Sequence, residues 1–327
     1  MAEIVPFSTV IKALLDENNP FPARYLHQFS DIEPDHLKAL IKAWPGITIT
    51  RKQNLLEDLE NLAEKDTLLS FDALAASLLK DTEATVRTLA IRLLWECEDV
   101  RLVPEFLKIL TTDSSAITSA AAATALGLFI YLGELEEIPG HTLKFVEDEL
   151  FKAARGAKDS LVRRRAIEAL GASSHPEVTE LIESTYSASD PDWIVSALFA
   201  MGRSCDHRWE KEVIAHLHHP DNDVRMEAIQ AAGEINLDAA RPLLLEQLED
   251  DEDQEIQHAI LWSLSQIGGE GVRHRLDEFI ETIDDPEEQD FLEEVLENLK
   301  ITEEMASFDF LDLDSGDELD DELDLDE

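Results

Sequence analysis

Asp159-Ser160-Leu161-Val162-Arg163-Arg164-Arg165-Ala166-Ile167-Glu168-Ala169-Leu170-Gly171 recurs as Asp221-Asn222-Asp223-Val224-Arg225-Met226-Glu227-Ala228-Ile229-Gln230-Ala231-Ala232-Gly233, and this recurrence decides the fold. With Val162 as motif position 1, positions 5, 8 and 9 are Ala166, Ala169 and Leu170, matched by Ala228, Ala231 and Ala232. At 3.6 residues per turn these positions share one face, so each copy predicts an amphipathic helix. Small side chains at positions 5 and 8 let a neighbouring helix approach closely. Copies starting at 162, 193, 224 and 256 are spaced by 31, 31 and 32 residues. The same phase reaches back to Thr118, Val86 and Leu55, and forward to Glu288. Only the 118-to-162 step is longer, at 44 residues. It predicts an insertion near 133–141, where Gly133 to Gly140 reads as a loop.

A second apolar-periodic stretch follows each copy, for example Val103–Leu110, Val178–Ile182 and Val272–Ile280. Asp81, Asp159, Asp190 and Asp221 precede first helices, where a carboxylate can accept from the free N–H groups. One such helix pair cannot bury its apolar face alone, whereas stacked pairs can. The expected fold is all-α, an α-solenoid of about seven helix pairs plus a terminal half-repeat.

The Asp-x-x-Val-Arg-x-x-Ala-x-x-Ala-Leu-Gly pattern resembles HEAT repeats of the short bacterial type, also found in bilin-lyase-like proteins. The resemblance spans about 51–300 and implies a HEAT/armadillo-type superhelix. It also implies that Asp159/Arg163 and Asp221/Arg225 form a structural ladder between neighbouring repeats. That ladder is interrupted where Ser119, Ile194, Gln257 and Gln289 hold the Arg position.

Composition narrows the function. The 327 residues carry 72 acidic and 27 basic groups, a net charge of −45, with only 12 Gly and 12 Pro. Few turn-formers disfavour a sandwich or barrel. The charge argues against partners bound through nucleic-acid phosphates or an anionic membrane surface. The start, Met1 to Phe7, lacks a basic n-region and apolar h-region, and two distant cysteines, Cys97 and Cys205, give no disulfide framework. A cytoplasmic location is expected. Ser114–Gly133 is uncharged over 20 residues, the length of a membrane span. Its Ala, Ser and Thr content and repeat phase instead predict a buried helix.

Outside the period, residues 1–50 predict an N-terminal helical cap with helices at Phe7–Leu15 and Asp35–Trp44. The alternative is a binding module using Phe21, Tyr25 and Phe29. Residues 301–327 hold 13 acidic groups and no Lys or Arg, interleaved with Phe308, Phe310, Leu311 and Leu313. Such alternation predicts a disordered acidic tail able to fold onto a partner.

Catalytic signatures are absent. HEAT-type deoxyhypusine hydroxylases use His-Glu dipeptides, and none of the ten histidines here precedes a Glu. His216-Leu217-His218-His219 could hold a transition metal, but its place before Pro220 suits imidazoles at a helix C-terminus. Asp312-x-Asp314 begins like a calcium loop, yet Gly316 stands one place early and Leu323 replaces the last ligand. Cys97 and Cys205 read as packed thiols. No catalytic, cofactor-binding or metal-ligating residue is assigned.

Two features suggest a partner surface. Arg155, Lys158, Arg164 and Arg165 belong to a basic island between Lys144 and Arg165, with Arg164 and Arg165 expected to face solvent. It reads as a solvated face or as a dock for acidic peptide, including the chain's own tail. Phe199 and Trp262 share motif position 7, away from the stack. They read as partner anchors or as residues covered by a loop or the tail. The favoured function is a non-enzymatic scaffold for protein partners, some of them basic, with a regulatory or partner-binding tail. Alternatives are a bilin-lyase-like or other cofactor-handling protein, and an acidic chaperone or decoy for basic proteins.

Overall fold

The computed structural model describes residues 5–188, 190–251, 253–280 and 286–314. They form an all-α solenoid-type fold without a strand among the described residues. The chain divides into two compact units at Val178/Thr179.

In the first unit, α1 (Phe7–Leu15) and α2 (Pro34–Ala43) precede the repeats. The pairs α3 (Ile49–Lys65) with α4 (Asp72–Leu78), α5 (Ala84–Arg92) with α6 (Val103–Thr112), and α7 (Ala116–Glu134) with α8 (Gly140–Gly156) follow, then α9 (Ser160–Leu170). Its partner in sequence, α10 (Glu177–Tyr186), begins at the boundary. The second unit holds α11 (Pro191–Arg203) with α12 (Glu210–Ile214), α13 (Asn222–Glu234) with α14 (Arg241–Asp250), and α15 (Gln254–Ile267) with α16 (Val272–Ile280). Half-repeat α17 (Pro286–Asp314) follows. The odd-numbered helices pack side by side, α5 on α7 and α7 on α9 in one unit, α11 on α13, α13 on α15 and α15 on α17 in the other.

Caps set the helix starts. Asp159, Asp190, Asp221 and Asp253 each accept from an N–H in the first turn of the following helix, at 2.9 to 3.1 Å. Each such cap contributes about 1 kcal/mol.

Glycine sets the spacing of the odd helices. A Cβ on Gly127 of α7 would lie 3.3 Å from Ala169 Cα of α9. On Gly202 of α11 it would lie 3.1 Å from Ala231 Cα, and on Gly233 of α13, 2.8 Å from Ser263 Cα. The motif's position 10 therefore meets position 8 of the next helix, nearly backbone to backbone. Gly127 lies well inside α7, and Gly202 and Gly233 are the next-to-last residues of α11 and α13.

The ladder exists with different partners from those expected. Arg87 of α5 holds Asp113 through two bonds of 2.7 Å, and Arg225 Nε lies 3.6 Å from Asp251 Oδ2. Both cations reach the carboxylate five residues ahead of the next motif copy. Asp159 and Asp221 cap α9 and α13, and Arg225 reaches Asp251, two residues ahead of the next cap Asp253. Each ladder side chain also ties its own turn: Arg87 donates to Asp81 O, Arg225 to His219 O and Gln257 to Asp251 O, at 2.7 to 2.9 Å. Gln257 thus keeps half of the function where the sequence suggests a gap.

The corresponding residue in α3 is Lys52, four beyond the cap residue Thr48, as Arg87 is four beyond Glu83. Its ammonium lies 3.2 Å from Asp81 Oδ2, with both side chains buried. The first motif copy therefore begins one helical turn before Leu55.

The long step between α7 and α9 is also built differently. Only residues 135–139 connect α7 and α8; the extra length lies in the helices, 19 and 17 residues long. An alanine-rich sequence propagates helix readily, and Gly133 admits Leu143 so closely that a Cβ would be 2.6 Å from its Cδ1. Among the described residues α7 is the one helix long and apolar enough to cross a membrane, with mean hydropathy 1.6. It packs against α5, α6, α8 and α9.

The aromatics weighed as a binding module are used internally. Phe29 and Tyr25 are buried, Phe7 meets Phe29 edge-on at 5.9 Å, and Phe21 lies 6.2 Å from Phe29. This N-terminal segment lies against α3 and α4. Arg51 donates to Asp16 O and Asn19 O, Asp31 N–H to Ser70 O, and Trp44 Nε1–H to Asp81 Oδ2.

Where the sequence predicts disorder from 301, α17 continues to Asp314. Thr302 Oγ1 donates to Ser265 O at 2.9 Å, and Arg273 grips Glu303 at 2.5 Å, pinning the extension onto α15 and α16. Residues 315–327 lie outside the described residues, as do the side chains of Phe308, Phe310, Leu311 and Leu313.

Candidate interaction surface

The buried sides of the odd helices are fixed by positions 1, 5, 8 and 9, which leaves positions 3, 7 and 11 toward solvent. In the second unit this rule places Val195 and Phe199 on α11, Met226 and Gln230 on α13, and His258 and Trp262 on α15 in two parallel rows. Phe199 is 37% and Trp262 39% exposed. Val195, Met226 and His258 are half-buried beside them. The His258 ring sits 4.4 Å from that of Phe291 on α17, and its Nε2 lies 3.4 Å from Glu288 Oε1. The result is a partly apolar band across three adjacent helices, with exposed Gln230 between Phe199 and Trp262.

Carboxylates border that band. Asp192, Asp223 and Glu255 stand in the first turns of α11, α13 and α15. Glu234 closes α13 at position 11, exposed to solvent. The basic residues of these three helices are Arg203 and Arg225, and Arg225 is committed to His219 O, Asn222 Oδ1 and Asp251.

The basic island in the first unit is largely neutralised within the fold. Arg155 pairs with Glu177 at 2.5 Å and lies 4.9 Å over the Phe151 ring; Lys152 pairs with Glu149 at 2.7 Å. Arg165 pairs with the buried carboxylate of Glu168. Arg164 and Arg165 are half-buried. Lys158 is exposed in the turn before α9. The structure thus brings Phe199 and Trp262 onto one face and does not make the island an open cationic patch.

The histidine cluster serves packing and turn formation. His216 Nδ1 is 2.8 Å from Glu212 O, His219 Nδ1 accepts Asp221 N–H at 3.1 Å, and the two rings stack 5.6 Å apart. Among the described residues no group of three or more His, Cys, Asp or Glu is placed to hold a metal ion. Cys97 is half-buried and burial pushes its thiol pKa up from the ordinary value. Cys205 is exposed, not packed, because its backbone turns left-handed (φ 49°) after α11.

Sequence reading missed Val195, Met226 and the His258–Phe291 pair. The signal was present at motif positions 3 and 4, hidden among residues that also carry the stack. Trp95 and Ile117 of the first unit, 61% and 64% exposed, were missed as well.

These features define a helical-repeat protein with an open side-chain surface. Residues 181–265 and 210–300 match the family model of HEAT repeats, and this stretch of the chain is a HEAT-repeat array. No curated protein matches the chain. Among solved structures the chain is similar to YibA of Escherichia coli, at 16% identity and a TM-score of 0.43, over 87% of this chain and 98% of that one. It is also similar to the CpcE–CpcF complex of phycocyanin lyase from Nostoc sp. PCC7120, at 16% identity and a TM-score of 0.46, over 71% and 94%. Human deoxyhypusine hydroxylase gives 18% identity and a TM-score of 0.35, over 80% and 95%.

Proposed function

We propose that the protein is a non-enzymatic, cytoplasmic HEAT-repeat scaffold that mediates protein–protein interaction. The observation that carries this reading is the recurrence of a partly exposed aromatic at one motif position, Phe199 on α11 and Trp262 on α15. Exposed aromatics grouped on one face are the residue type that most often anchors a protein partner. The acidic segment after α17 acts as a second, regulatory or partner-binding element.

An affinity pull-down with full-length bait tests the reading, in parallel with a chain ending at Asp314. A discrete protein retained in near-stoichiometric amount is expected, and its weaker retention by the shortened chain would assign the regulatory role. Visible absorbance co-purifying with the protein, with no partner retained, would sink the scaffold reading in favour of a cofactor-handling one.

A further inference from the structure

We propose that the solvent face of α11, α13 and α15 takes an extended peptide segment carrying two Lys or Arg side chains, seated over Phe199 and Trp262. This rests on the scaffold reading and names the chemistry of its partner.

Three observations converge on a cationic ligand. Phe199 and Trp262 are each more than a third exposed, and a cation over an aromatic face is attracted by the ring quadrupole. Carboxylates lie on both flanks, Asp192, Asp223 and Glu255 at one edge and Glu234 at the other. Against these four carboxylates the three helices set two cations, Arg203, which acts on Glu234, and Arg225, which is held by Asp251 and backbone, so acidic charge remains in excess, and the whole chain carries −45. An acidic peptide or a nucleic acid would meet repulsion on this face, whereas a neutral apolar segment would leave the flanking carboxylates unused.

The repeat also sets the register. Packed helices lie 8–10 Å apart, so the two steps from α11 to α15 span roughly 16–20 Å. An extended chain rises about 3.3 Å per residue, which places the two cations five or six residues apart.

The test uses the full chain and two fluorescent nine-residue peptides of identical composition, two Arg and seven Ser. In one the arginines stand at i and i+6, in the other at i and i+2. Total charge is equal, so attraction to acidic segments elsewhere contributes equally to both. At 0.15 M salt the i,i+6 peptide binds about threefold to fivefold tighter, as expected for one further cation–ring contact. The F199L/W262L variant keeps apolar bulk, removes the rings, and abolishes the preference. Equal binding of the two peptides by the wild-type chain overturns the proposal without any variant. A preference that survives F199L/W262L overturns it too. If the spacing preference is absent while full-length bait still retains a protein partner, this face is wrong and the scaffold reading stands.

Discussion

Lys52 and Asp81 are eight and five percent exposed at their side chains, and the Trp44 indole N–H donates to the same carboxylate oxygen at 2.6 Å. Burial opposes ionisation of Asp81, but the Glu83 N–H, the Trp44 N–H and Lys52 outweigh it and hold its pKa below the ordinary carboxylate value. Removing one partner of a buried pair leaves the other charged and desolvated. Lys52→Met should therefore cost about 3–5 kcal/mol, read as a lower urea midpoint. Asp113 behaves alike: burial raises its pKa, Arg87 and the Ser115 N–H together lower it by more, and the net shift is downward. Carboxylates with depressed folded pKa values contribute stability above the ordinary carboxylate range and lose it as pH falls through that range. Glu60 works in the opposite sense, since burial exceeds the effect of Arg92 and its pKa is raised. Between pH 6 and pH 3 the urea midpoint should fall, and fall less in Asp113→Asn. Cys205 offers a gain, because its left-handed backbone is one that Asn236, at the same motif position, adopts more easily. Cys205→Asn should stabilise by up to about 1 kcal/mol in thermal unfolding. The ladder aspartates were legible: Asp81, Asp113 and Asp251 all stand five residues before a motif copy. The Asp three residues before the copies at 162, 193, 224 and 256 is the more regular signal. Trp44 as a donor to Asp81 carries no sequence signal, being 37 residues away.

Individual helices depend on how closely their neighbours approach. Gly233→Ala would drive a methyl to 2.8 Å from Ser263 Cα, where neither backbone can yield cheaply. Overpacking of this kind costs about 1–3 kcal/mol. Gly156, at the end of α8, has nothing within 4 Å of the added methyl, so Gly156→Ala should instead gain about 0.4–1 kcal/mol. Chemical denaturation of the two variants checks the pair, and equal effects would contradict the packing account. Element type and phase were readable from the motif because positions 5, 8 and 9 remain apolar or small in the copies from 86 to 288. Element length was not. Gly133 and Gly140 look like loop ends in sequence, yet both lie in helices, because a glycine where two helices nearly touch is indistinguishable in sequence from one that ends a helix. The register of α3 was likewise misjudged by one turn, since Leu55, Leu56 and Leu59 satisfy either phase.

For the whole molecule, the charge of −45 sets a competition between self-repulsion and local ion pairs. Raising salt from 0.01 to 0.15 M shortens the Debye length from about 30 to about 8 Å, which screens distant repulsion more than contacts near 3 Å. The urea midpoint should rise over that range, and a fall would mean that ion pairs such as Arg87–Asp113 outweigh the general repulsion. Repetition made the architecture legible, whereas the two features that interrupt it, the paired long helices and the extended last one, depend on contacts between separate segments. The end of α17 has a further consequence. At the motif position where Gly202 and Gly233 admit the next helix, α17 carries Glu297, flanked by exposed Glu293, Lys300 and Glu304. A second molecule docking there head to tail would bury these charges against a backbone that a glutamate holds away. The same residue choice that ends the stack thus guards against linear polymerisation, the hazard built into any module that coheres by meeting copies of itself.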